Sequence, residues 1–370
     1  MSDKNEHNKS LIPSSTNSMV QVQNSIEITN KILEEYHERI IPKITLKGQL
    51  KWKFKSDSGV QSSPVIKDGL LYFGSGYNIY ALDYQSGLLK WKFKSEKKVF
   101  HSPSVKDGLV YFGSGYNLYV LDSKSGQLVW TFETEGINYY PPIVDNGVIY
   151  FRSCDKYLYA VNCQSRQLNW KFKIVGYEPP VLKNGMVYFG SGSIFYALDC
   201  QTGNIIWKFN TLDWFSSSFH PYISQPFIND SLVYFVCNSI LYVLDSLTGK
   251  IKWKYKFGDK TGNNNGFAPV VYDGTIYLGT FDHYLYALDN QSRKLKWKFK
   301  SEGIIYSTPA KLDGMIYFGT LDQYLYALDS NTGNIKWKFE TKGKILSSPS
   351  ILESIIYFGS DDTYLYAVYI

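Results

Sequence analysis

A tryptophan recurs through this sequence with a period near forty residues. Trp52, Trp91, Trp130, Trp170, Trp207, Trp253, Trp297 and Trp337 stand 39, 39, 40, 37, 46, 44 and 40 residues apart. A period of that length belongs to propellers or helical solenoids, in which one supersecondary unit is stacked many times. The residues between the tryptophans choose between the two. Residues 60–95, VQSSPVIKDGLLYFGSGYNIYALDYQSGLLKWKFKS, are short β-rich runs separated by Asp-Gly, Gly-Ser-Gly and Ser-Gly. Such runs read as strands and such dipeptides as turns, with no helical pattern between them.

Four strands fit each unit: A around VQSSPVI, B around LLYFGS, C around IYALD and D around LLKWKFK. Asp68-Gly69 joins A to B, and Asp107-Gly108, Asn146-Gly147, Asn184-Gly185, Asp273-Gly274 and Asp313-Gly314 repeat the device. These pairs tolerate the positive φ angles of a two-residue hairpin. The sequence therefore predicts an all-β fold, an eight-bladed β-propeller of four-stranded antiparallel blades. Tyr80, Tyr119, Tyr159, Tyr196, Tyr242, Tyr286, Tyr326 and Tyr366 mark eight C strands, matching the eight tryptophans. The chain ends on YLYAVYI, a strand C with no D after it, whereas GQLKWKFK at 48–55 is a strand D with no C before it. The two halves are expected to meet in one blade, an N-terminal strand pairing with the C-terminal blade so that no seam stays open.

Three segments follow. Residues 1–24 are polar and read as a disordered tail. Residues 25–43 read as an amphipathic helix and linker, with Ile28, Ile32, Leu33, Tyr36 and Ile40 at helical spacing and Pro42 ending the run. Residues 44–370 form the propeller. Glu34 and His37 make a Glu-x-x-His pair, but a di-metal site needs ligands from several helices, so no metal is expected there.

The first twenty residues show no basic stretch followed by an apolar run, and no later segment is apolar enough to span a bilayer. The expectation is a cytoplasmic protein without a membrane span. Cys154, Cys163, Cys200 and Cys237 form no CxxC pair, and Cys163 and Cys200 sit at one position of successive repeats, on sheets about 10 Å apart. Free thiols are expected. The net charge of +6 comes from lysine, since arginine occurs only at Arg39, Arg152, Arg166 and Arg293. Many lysines alternate with Trp and Phe in strand D, where they guard an exposed edge, which speaks against nucleic-acid binding.

The pattern A-x-D-x-x-x-G-x-x-x-W appears as Ala81, Asp83, Gly87, Trp91, as Ala197, Asp199, Gly203, Trp207 and as Ala327, Asp329, Gly333, Trp337. It resembles the tryptophan-docking motif of the PQQ-like (quinoprotein-type) β-propeller repeats, over residues 46–370. Val120 and Val243 replace the Ala, Asn162 replaces the Asp, Arg166 and Arg293 replace the Gly, and Tyr369 stands where the last blade expects Asp. The resemblance implies that the eight repeat tryptophans are structural, each packed between adjacent blades.

In such blades the A–B and C–D turns lie on one face, and the B–C and D–A connections on the other. The second face varies, with enlarged D–A connections at 210–226 and 256–269. Variable loops on a rigid scaffold are where binding sites arise. The candidates there are Trp214, Phe215, His220, Tyr139, Tyr140, Tyr177 and Glu178. Asp282, Asp322 and Asp362 recur at one B–C position and read as turn formers, with a cation site as the alternative. No catalytic constellation is legible. The function expected is a non-enzymatic binding platform taking a protein partner or small ligand, with no cofactor. The resemblance offers a pyrroloquinoline-quinone dehydrogenase with Ca²⁺ as the alternative, although the vicinal cysteines of many alcohol-oxidising members are missing; exposed aromatics offer a carbohydrate-binding module as another.

Overall fold

The computed structural model describes residues 46–176, 178–211, 222–229, 231–258 and 266–370. The predicted tail at 1–24 and helix at 25–43 lie outside the described residues. Lys47–Ile370 form one compact unit. Among the described residues there are eight four-stranded sheets, each with antiparallel neighbours in A-B-C-D order, so the expected propeller is what forms.

Blade 1 shows how sequence becomes blade. Its strands are A Val65–Lys67, B Leu70–Ser75, C Asn78–Asp83 and D Leu89–Lys94. Asp68 at φ 49° and Gly69 at φ 79° turn A into B. Strand A is shorter than its sequence suggests, because a side chain replaces the ladder upstream of it: Ser62 Oγ donates to Gly74 O at 2.9 Å and accepts from Gly74 N at 2.8 Å. Strands B and C are buried on both faces. Strand D is an outer edge, with a register shift opposite Ala81/Leu82. That bulge leaves Leu89 and Lys90 both exposed and then turns Trp91 inward.

The core is the set of layers between blades. Tyr72, Ile79, Ala81 and Trp91 of blade 1 pack on Val99, Val110, Phe112, Tyr119 and Leu121 of blade 2. Phe93 meets Phe112 and Tyr119 edge-on at 6.2 and 5.9 Å, the favourable arrangement for aromatic quadrupoles. Trp91 Nε1 donates to Ser123 O at 2.9 Å, and the indole lies on Gly126 so closely that a Cβ there would come within 2.5 Å of it. Trp52, Trp170, Trp207 and Trp297 cover Gly87, Gly203, Gly249 and Gly333 in the same way, and Trp337 covers Gly48 less closely, at 3.3 Å from such a Cβ. Arg166 and Arg293 take the glycine's left-handed conformation at φ 61° each, and the Arg166 guanidinium lies 5.9 Å from the Trp130 ring.

Blade 8 is the composite one. Strand D, Leu50–Lys55, runs antiparallel to strand C, Tyr364–Tyr369, with Trp52 opposite Ala367. Gly48 N donates to Tyr369 O at 2.8 Å, and Tyr369 N donates to Gln49 O at 3.0 Å. Trp52 then reaches into blade 1, donating to Tyr84 O at 3.3 Å. Both ends of the propeller chain are thus locked into one sheet, as the orphan half-repeats required.

Candidate functional site

Each of the eight D–A connections contributes to a single cavity of about 680 Å³. Its wall is aromatic for much of its extent: Phe100, Tyr139, Tyr140, Tyr222, Phe267 and Tyr306 all line it. Phe100 meets Tyr139 edge-on at 5.2 Å, and Phe267 lies 4.5 Å from Tyr306. A void of this size suits a ligand or an inserted peptide side chain.

The repeat shows which lining residues are there for the fold and which are not. The serine that bonds the strand-B backbone recurs as Ser62, Ser224, Ser307 and Ser347; Ser307 and Ser347 accept from Gly319 N and Gly359 N at 2.7 Å, and Ser224 accepts from Val236 N at 3.0 Å. In blades 2, 3 and 4 the same position, two residues before the residue that precedes strand A, holds His101, Tyr140 and Glu178; in blade 6 it holds Phe267. Three consecutive blades thus give up a structural hydroxyl for larger side chains that line the cavity. Strand B of blade 3 departs too, carrying Arg152 where blades 1, 2 and 4 have Gly74, Gly113 and Gly190.

These departures touch one another. Tyr140 stacks on His101 with ring centroids 5.5 Å apart. Arg152 is almost wholly buried; it donates to the backbone carbonyl of Glu178, and to that of Gly176 at 3.0 Å. Its Nε has no hydrogen-bond partner among the described residues. Burial pushes the Arg152 pKa down to about 10, against the opposing pull of Tyr140 and Glu178. The Tyr222 hydroxyl donates to Glu178 Oε1. Desolvation raises the Glu178 pKa, while Tyr222, Arg152 and the Gln225 backbone act the other way. His101 opens onto the cavity, yet the surrounding wall desolvates it and holds its pKa below the ordinary imidazole value. Glu178 is the one carboxylate on the cavity wall, and no lysine or arginine lines it among the described residues.

Of the residues singled out from sequence, Tyr139, Tyr140 and Glu178 come together here. Tyr177, Trp214, Phe215 and His220 lie outside the described residues. Sequence reasoning missed Phe100, His101, Arg152, Tyr222, Phe267 and Tyr306. For His101, Phe267 and Arg152 a signal existed, since each breaks a repeat position held by serine or glycine in other blades. Asp282, Asp322 and Asp362 accept from the hydroxyls of Tyr286, Tyr326 and Tyr366 at 3.2, 2.9 and 2.7 Å, and Asp322 and Asp362 also accept from Gly303 N and Lys342 N at 3.2 and 2.9 Å. Asp155 does the same for Tyr159 at 2.5 Å. No group of three or more His, Cys, Asp or Glu is placed to hold a metal among the described residues.

A second hollow of about 350 Å³ adjoins the first on the same face. Tyr77 and Tyr116 from B–C turns, with Lys97, Lys98 and Ile137 from D–A connections, line it; Phe100 and Tyr139 line both hollows. Because they share Phe100 and Tyr139, the two hollows make one path over the connections around blades 1 to 3.

Ring closure, docked tryptophans and a funnel made by the D–A connections define a PQQ-like β-propeller. The family described as outer membrane protein assembly factor BamB matches residues 45–209 and 237–369, and the chain belongs to this family of PQQ-like propellers. No curated protein matches the sequence. Among solved structures, BamB from Moraxella catarrhalis is similar with a TM-score of 0.74 and 16% identity, over 87% of this chain and 99% of that one. The computationally designed Ika8 protein gives 0.72 and 14%, over 85% and 98%. Quinohemoprotein alcohol dehydrogenase ADHIIG from Pseudomonas putida HK5 gives 0.72 and 15%, over 86% and 76%. Likeness at these identities is a likeness of fold: the same disc carries an assembly factor, a designed protein and a dehydrogenase.

Proposed function

We propose that this protein is a non-enzymatic binding platform whose partner, a segment of another protein, seats in the cavity on the D–A face. The observation that carries this reading is the aromatic, blade-specific lining of that cavity, where fold-maintaining serines have been exchanged for His101, Tyr140 and Glu178. Aromatic rings give large contact area at small cost in side-chain entropy, which is why they anchor interfaces. The description of the family as an assembly factor supports a protein partner. The four cysteines are all unpaired, which supports a reducing compartment such as the cytoplasm.

The dehydrogenase reading has less support. Calcium takes six to eight oxygen ligands, and among the described residues the cavity wall offers one carboxylate, Glu178. The described residues do not fit a calcium-bound quinone.

Selection of random peptides on the immobilised full-length protein tests the platform. Peptides that bind the wild type should lose at least tenfold in affinity for the Tyr140→Ala/Tyr306→Ala variant, with its fold checked by circular dichroism. Equal binding to both would place the partner elsewhere and end this reading. A calcium-dependent thermal shift with pyrroloquinoline quinone would instead restore the enzyme.

A further inference from the structure

The charges along the path are segregated. At its inner end the cavity wall carries Glu178 and, among the described residues, no lysine or arginine. At its outer end the adjoining hollow carries Lys97 and Lys98 and no carboxylate among the described residues. Both lysines are exposed, and neither forms an ion pair with a described residue. Between the two ends stand Phe100 and Tyr139, shared by both hollows. Phe100 is 40% exposed, and Tyr77 and Tyr116 farther out are 45% and 50% exposed, so the floor of the path is open aromatic surface.

Resting on the platform reading, we infer that the path takes an extended polypeptide segment of fixed polarity: a cationic residue or free amino terminus against Glu178 inside, and acidic residues over Lys97 and Lys98 outside. The physical basis is complementarity at both ends. A cation entering the cavity meets a carboxylate and the faces of aromatic rings, which attract it through their quadrupoles. Arg152 donates to the carbonyls of Gly176 and Glu178; it is a positioning residue that fixes the connection carrying the carboxylate. An acidic group outside meets two lysines on a surface where steering matters more than tight pairing. An extended chain presents side chains at about 3.3 Å per residue, so both charges can sit on one short segment. A uniformly acidic chain would put a carboxylate against Glu178, and a uniformly basic one would crowd the lysines.

The test uses three fluorescent peptides of about ten residues, each with a Phe-Gly-Phe centre: one with Lys-Lys at one end and Glu-Glu at the other, one with Lys-Lys at both ends, and one with Glu-Glu at both. Fluorescence polarisation with the full-length protein should show the mixed peptide binding at least tenfold more tightly than either uniform one. Glu178→Gln, which keeps an acceptor for Tyr222, should erase the advantage over the all-acidic peptide. Lys97→Glu/Lys98→Glu should erase the advantage over the all-basic peptide. If all three bind within twofold of one another, and Tyr140→Ala/Tyr306→Ala abolishes binding, the platform stands and the polarity is wrong. If none of the three binds at millimolar concentration and the peptide selection also fails, both are wrong.

Discussion

Two glycines of blade 2 separate the cost of a backbone conformation from the cost of a contact. Gly108 and Gly126 have φ angles of +75° and +70°, so alanine at either site enters the same unfavourable left-handed region. That penalty is about 1–2 kcal/mol, offset by about 0.4–1 kcal/mol from the reduced freedom of the unfolded chain. A Cβ on Gly108 meets nothing within 4 Å, whereas a Cβ on Gly126 would stand 2.5 Å from Cδ2 of Trp91. The indole cannot retreat easily, since its Nε1 is bonded to Ser123 O at 2.9 Å and the ring is buried in the layer between blades 1 and 2. Overpacking of that kind adds about 1–3 kcal/mol. We therefore expect Gly108→Ala to cost about 1 kcal/mol and Gly126→Ala about 2–4 kcal/mol. With about 2.1 cal/mol/K of unfolding entropy per residue, a propeller of this length loses roughly 1.5 °C in Tm per kcal/mol, so thermal and urea melts of the full-length protein resolve the difference. In a Trp91→Ala background the cost of Gly126→Ala should shrink to that of Gly108→Ala. Equal costs in the wild-type background would refute the docking of Trp91 on Gly126.

The remaining expectations concern the ring, the buried cation and acid. Deleting residues 44–56 removes the outer strand of blade 8 and bares strand C of that blade, so the truncated protein should melt well below the full-length one; an unchanged Tm would overturn the clasp. Arg152→Met leaves the carbonyls of Gly176 and Glu178 without their buried donor and should cost about 2–5 kcal/mol, read by urea melts; a variant of wild-type stability would mean that the guanidinium does not fix that connection. The Asp199 carboxylate accepts from Thr202 N and Thr202 Oγ1, both at 2.8 Å, and these bonds hold its pKa below the usual carboxylate value. A depressed folded pKa gives stability that is present above the unfolded value and lost as pH falls through the folded one. The Tm gap between wild type and Asp199→Asn should therefore be open at pH 7 and close below about pH 4; a gap that persists at pH 2 would contradict the charge-based account.

The repeat determined most of the fold on its own. A strand of four to six residues with a turn dipeptide at each end has few ways to bury its apolar residues, and eight tandem copies of such a unit leave a closed ring as the consistent solution. The orphan GQLKWKFK even specified how the ring closes, because an unpaired outer strand and an unpaired strand C carry complementary sets of backbone donors and acceptors. The candidate site was legible only in part. Tyr139, Tyr140 and Glu178 could be found because they sit on variable connections, but each was one residue on one loop. The cavity exists because eight connections, spread over most of the chain, converge around one axis. Sequence distance carries no information about that convergence, so the neighbours Phe100, Tyr222 and Tyr306 stayed invisible until the ring was closed. Arg152 marks the boundary between the two kinds of knowledge. Its departure from the repeat glycine is written in the sequence; the carbonyls of Gly176 and Glu178 that it holds belong to the next connection, and only packing one blade against another brings them within reach.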